Sequence, residues 1–209
     1  MKTTKSALAL ACGLAISAGA NAAYIDVVDA TNPTSFNVSS SDNDYLGTVG
    51  ALISDGQELD LGRKLTSVAT STFKLTFTYL FREASFSNSF TYGGSEVFNT
   101  SSSSYGESQS FIYDSGLGDL DFMFSSTRNG NPKGSVQNAD NDGFGGYDFF
   151  TYEGDGFILL GLDDSGAAID DNHDDMIIKV TASKVPEPGT LALLGLGLAG
   201  LGLGYRRRS

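Results

Sequence analysis

From Thr72 to Arg82 the chain alternates with a period of two. Phe73, Leu75, Phe77, Tyr79 and Phe81 fall on one side, and Lys74, Thr76, Thr78, Leu80 and Arg82 on the other. Successive side chains of a strand point to opposite faces, so this run predicts a half-buried β-strand with an aromatic-rich inner face. A chain that carries such a strand needs partner strands and a second apolar layer to cover it. That requirement constrains the fold more than any other feature of the sequence.

Partners are in place. A second alternation, Ala84, Phe86, Phe90 and Tyr92, ends at Gly93-Gly94. Tyr24–Val28, Ser108–Tyr113, Leu120–Ser125, Tyr147–Tyr152, Phe157–Leu162 and Met176–Ala182 are further strand candidates. Residues 23–184 show no sustained helical period, and clusters of glycine, serine and asparagine interrupt them at short intervals. The fold class is therefore all-β, an antiparallel β-sandwich of jelly-roll-like character. Asn99–Ser110 reads as a serine-rich loop or hairpin tip, and Arg128–Asp142 as a longer polar loop.

Acidic residues outnumber basic ones, 25 to 13, for a net charge of −12. Lys2, Lys5, Arg206, Arg207 and Arg208 lie near the ends, which leaves the middle of the chain more acidic still. Such a surface repels phosphate backbones and argues against nucleic acid as a partner. Cys12 is the single cysteine. It lies in the N-terminal leader, so the body can have neither a disulfide nor thiol chemistry.

The two ends differ from the body. Lys2 and Lys5 precede an apolar run, Ala7–Ala18, and Ala20-Asn21-Ala22 gives a small-x-small cleavage pattern. Residues 1–22 therefore read as a helical signal peptide cut between Ala22 and Ala23. At the other end, Pro186-Glu187-Pro188 forms an extended stretch, because proline fixes φ and disfavours helix in its predecessor. An apolar glycine/leucine run, residues 190–205, follows and spans about 24 Å as a helix at ~1.5 Å per residue. Arg206, Arg207 and Arg208 would hold its far end on the cytoplasmic side of the inner membrane. The organisation is thus a signal peptide at 1–22, a β-sandwich body at 23–184, and a tail at 185–209 that crosses the membrane as a helix.

The ordered set of Pro186-Glu187-Pro188, a glycine/leucine helix and a basic end resembles the PEP-CTERM sorting signal of Gram-negative bacteria. The resemblance implies export, processing by a membrane-integral exosortase, and association with exopolysaccharide at the cell surface or in the extracellular matrix. Two stretches of the body resemble segments of uncharacterised PEP-CTERM proteins. They are Phe81–Phe90, with Ser85 where a glycine is common, and Leu162-Asp163-Asp164 followed by Asp170–Met176.

The densest chemistry lies between the last two strands. Asp170, Asn172 and Asp174 alternate, Asp175 is adjacent, and Asp163 and Asp164 close the preceding strand. Hard cations such as Ca²⁺ take 6–8 oxygen ligands, which this spacing can supply. The competing reading is a solvated acidic turn, with His173, the single histidine, as one of its exposed residues. A second candidate cation loop is Asn138, Asp140, Asp142 and Gly143, the opening half of an EF-hand loop. Phe149 stands where that loop needs its bidentate glutamate.

No Gly-x-Ser-x-Gly elbow accompanies His173, and a His/Cys zinc site lacks its ligands. Tyr92, Tyr105, Tyr113, Tyr147 and Tyr152 offer either a sugar-stacking platform or ordinary interstrand packing. The expectation is a non-enzymatic surface or matrix protein. The alternatives are a calcium-dependent carbohydrate-binding or adhesive module, and a polysaccharide-modifying hydrolase.

Overall fold

A computed structural model describes residues 24–38, 49–50, 52–83, 85–114, 116–142, 146–164 and 173–185. The cleavage residues Ala20, Ala22 and Ala23, the loop residues Asp170 and Asn172, Pro186–Pro188, Arg206–Arg208 and both expected helices lie outside them. Among the described residues, no helix is long and apolar enough to cross a membrane.

The alternating run forms strand β3 (Phe73–Phe81), with Phe73, Leu75, Phe77 and Tyr79 fully buried. Before it come β1 (Ile25–Asn37) and β2 (Glu58–Ser67). After it come β4 (Ser87–Tyr92), β5 (Ser95–Asn99), β6 (Ser108–Tyr113) and the short β7 (Gly118–Asp119). The series closes with β8 (Phe122–Arg128), β9 (Asn131–Gln137), β10 (Asp148–Gly154), β11 (Phe157–Asp163) and β12 (Met176–Lys184). All described pairings are antiparallel.

An eight-stranded sheet has the order β1-β2-β10-β11-β12-β3-β6, with β7 added on β2. A four-stranded sheet has the order β5-β4-β8-β9. In the larger sheet β1-β2, β10-β11 and β11-β12 are sequential neighbours, whereas β2-β10, β12-β3 and β3-β6 pair strands distant in the chain. In the smaller sheet β4-β5 and β8-β9 are sequential and β4-β8 is not. Asn129 and Gly130 join β8 to β9 with φ of 53° and 75°, the left-handed pair that a two-residue hairpin turn requires. That turn also puts a strand, β9, inside the stretch expected to be loop. Its Pro132 is tolerated because β9 is an edge strand.

The sheets share one core. Phe77 meets Phe90 at 4.9 Å between ring centroids, and Phe149 meets Phe122 and Phe124 at 5.5 and 5.6 Å. Leu160, Leu162, Met176, Ile178 and Val180 complete this layer. The larger sheet is also covered on its other face. Leu59, Leu61, Phe150, Leu159 and Ile177 pack there against Val38, Val49 and Ile53, which come from the stretch between β1 and β2. The middle strands are therefore apolar on both sides, which accounts for the unbroken Phe157-Ile158-Leu159-Leu160 run.

Candidate functional site

β10 and β11 form a tight hairpin in which Asp148 is the register partner of Asp163. In the two strands, even positions of β10 and odd positions of β11 face the outer apolar layer, as Phe150 and Leu159 show. The same alternation carries Asp148 and Asp163 to that side, at the open end of the hairpin. His173, in the approach to β12, closes over them. Its Nε2 lies 2.7 Å from Asp148 Oδ1, and its ring stacks on Phe36 with centroids 5.0 Å apart. One donor atom from each of Asp148, Asp163 and His173 lies within 4.8 Å of the other two. The three residues are 4%, 1% and 1% exposed.

The backbone is built for this closeness. Gly161 of β11 faces the same side, and a Cβ there would stand 2.5 Å from His173 O and 2.1 Å from Phe150. His173 itself sits at φ 55°. It is thus a buried, hydrogen-bonded residue and not the solvated turn residue that its acidic neighbours suggested.

Asp164 goes elsewhere, because the next residue along an extended chain points the opposite way. Its Oδ2 accepts from Asn88 Nδ2 at 2.7 Å, and its N–H donates to Asp175 Oδ2 at 2.7 Å. Asn88 Nδ2 also donates to the Asp175 carbonyl, and its N–H to Thr100 Oγ1. Asn88 therefore links the smaller sheet to the acidic end of the larger one. Asp174 is 1% exposed, and its carbonyl accepts from Glu83 N–H. The Tyr147 hydroxyl is held above its ordinary pKa, first by burial and then by the charges of Asp164, Asp163 and Asp175.

Among the described residues, the expected acidic set falls into two groups. Asp163 belongs with Asp148 and His173, and Asp164 with Asp175 and Asn88. Asp148 and Asn88 were not among the expected site residues. Asn88 had a readable signal: it occupies the aromatic side of the Phe86–Phe90 alternation, where a polar residue must find buried partners. Asp148 had none, since only strand register brings it to Asp163.

The second loop also divides. Asn138 is 1% exposed and its amide is taken up by backbone. Its Oδ1 accepts from Leu65 N–H at 2.8 Å, and its Nδ2 donates to the carbonyls of Leu65 and Leu120 at 2.7 and 2.9 Å. The Asn141 amide brackets Phe149 in the same way. Asp140 and Asp142 instead line a surface groove of about 410 Å³, together with Gln137 and Tyr147.

The five tyrosines do not share a platform. Tyr92 and Tyr113 pack on Phe77 and Phe73, each at 5.0 Å, whereas Tyr152 meets Phe157 on the outer face. Tyr105 is 55% exposed but rests on Tyr79 and Phe81.

Beyond these sites, the last described strand runs through Lys184 toward the proline-containing segment. The family defined by the PEP-CTERM protein-sorting motif matches residues 184–208. The chain carries a PEP-CTERM sorting motif. The PEP-CTERM match covers the tail and leaves the two-sheet body unassigned. Among curated proteins none matches the chain. The PEP-CTERM motif marks an exported protein, with an exosortase as the general kind of processing partner.

Proposed function

We propose that the body is a non-enzymatic component of the extracellular polysaccharide layer, delivered to the cell surface or matrix through its sorting motif. The observation that carries this reading is the match at residues 184–208. The acidic balance of 25 against 13 helps keep an exported protein soluble. Burial of His173, the single histidine, argues for a structural role and against general-base work on an outside substrate. The test is fractionation of the native host. The processed protein is expected with the polysaccharide, and Pro186→Ala with Pro188→Ala is expected to hold the unprocessed chain in the membrane fraction. Equal release of the variant, or processed protein found free of the polymer, overturns the reading.

The second reading is calcium-dependent carbohydrate binding, favoured by the groove that Asp140, Asp142, Gln137 and Tyr147 line. The acidic set of Asp164, Asp170, Asn172, Asp174 and Asp175 is its other proposed calcium locus. Calcium-dependent retention on the host's polysaccharide, lost in Asp140→Asn with Asp142→Asn, supports it. Retention that ignores a chelator removes it.

A further inference from the structure

We propose that Asp148, Asp163 and His173 form a binding site for a transition-metal dication of the Zn²⁺ class, which clasps the β10–β11 hairpin to the start of β12. This inference stands apart from the polysaccharide reading and from the proposed calcium loci.

Three observations carry it. The first is the donor set. One imidazole nitrogen and two carboxylate oxygens come from three separate chain segments, and one donor atom from each lies within 4.8 Å of the others. Metal–ligand bonds of about 2.0–2.2 Å close that span with small side-chain rotations. The His173–Asp148 contact at 2.7 Å already sets two donors side by side, and a bound ion takes the place of the proton between them.

The second is charge. Asp148 and Asp163 are 4% and 1% exposed, and two carboxylates brought together at such depth favour a cation beside them. A dication bound to neutral imidazole supplies charge for both. The third is selectivity. Ca²⁺ and Mg²⁺ prefer oxygen ligands throughout, whereas imidazole favours zinc and its neighbours. The stacked ring of Phe36 and the nearby Phe150 give the site an apolar wall that lowers the local dielectric and fixes the imidazole.

The location gives the site a purpose. With Cys12 as the single cysteine, the body has no disulfide to fasten the connection between its last two strands. A metal bound only by the folded state supplies an equivalent cross-link, because its binding free energy adds to folding.

The experiment uses the full-length chain, purified in detergent and stripped with a chelator. Zn²⁺ and Co²⁺ are titrated by calorimetry, with melting temperature and the Co²⁺ visible spectrum as parallel readouts. One ion per chain, a raised melting temperature and the intense visible d–d bands of four- or five-coordinate Co²⁺, lost in His173→Gln, are expected. Excess Ca²⁺ should leave all three unchanged. Loss of even a supporting partner weakens metal sites by 10–100-fold, so Asp148→Asn and His173→Gln should each weaken binding by about 100-fold or more. Absence of saturable binding to the unsubstituted chain overturns the proposal. So does binding that survives both substitutions, or displacement of Co²⁺ by Ca²⁺. Should either variant fail to fold, the Co²⁺ spectrum and the Ca²⁺ competition on the unsubstituted chain decide alone.

Discussion

At the scale of single residues, amide side chains do much of the joining in this protein. Asn138 ties the backbone of Leu65 in β2 to that of Leu120 before β8 through three hydrogen bonds, all buried. Truncating it leaves the Leu65 N–H without that partner, at a depth where an unpaired donor costs about 1–3 kcal/mol, while the carbonyls of Leu65 and Leu120 keep the N–H groups of Leu120 and Phe122. Asn138→Ala is therefore expected to destabilise the fold by roughly 2 kcal/mol. Denaturant unfolding measures this, and a loss below about 1 kcal/mol would show that the bracket contributes little. Spacing alone placed Asn138 in a candidate cation loop. Only the position of Leu65, distant in the chain, shows that its amide is taken up by backbone.

At the scale of elements, the contrast is between β3 and β11. β3 has one buried face and one that turns polar toward its edge, where Thr76 and Thr78 share hydroxyl contacts with Ser110 and Ser108 of β6. A strand of that kind announces itself by alternation, and its bounds were legible. β11 is buried on both faces, and Gly161 is the residue that lets Phe150 and the His173 carbonyl approach it. Gly161→Ala is expected to cost at least about 2 kcal/mol, because overpacking here presses on backbone as well as on a ring. It should also weaken the proposed metal site, since the His173 carbonyl must move. Unchanged unfolding in this variant would contradict the close approach. Strands β2, β5 and β9 escaped the sequence reading for related reasons. β2 is interrupted by Gly62 and by Arg63 and Lys64, whereas β5 and β9 are short edge strands with few apolar residues.

At the scale of the whole molecule, the inter-sheet core sets the response to alkali. Tyr79 and Tyr92 are both pushed up to about 12. Burial is the main cause, followed by the charge of Tyr105 for Tyr79 and of Tyr113 for Tyr92. The unfolded chain releases these protons near pH 10, before the folded chain does, so it binds fewer protons above that point. Stability is therefore full below about pH 10 and declines as pH rises toward 12. Urea unfolding across that window should show the decline, and Tyr79→Phe should make it shallower. A flat profile would refute the assignment. The Tyr79 hydroxyl is buried with no hydrogen-bond partner among the described residues, so Tyr79→Phe should not destabilise the protein at neutral pH.

Sequence alone determined what depends on local pattern. The period-two runs specified an all-β body, the acid excess specified its surface, and Pro186-Glu187-Pro188 with its apolar and basic sequel specified the sorting tail. Each of these is written in consecutive residues, because strand faces, turns and sorting signals are read over short distances along the chain. Tertiary structure decided which acidic residues meet. Asp163 and Asp164 are adjacent in sequence yet face opposite ways, whereas Asp148 and Asp163 are brought together by hairpin register and joined to His173 by the approach of β12. The pleat separates neighbours and the sheet unites distant residues, so the site came into view only once the strands were paired.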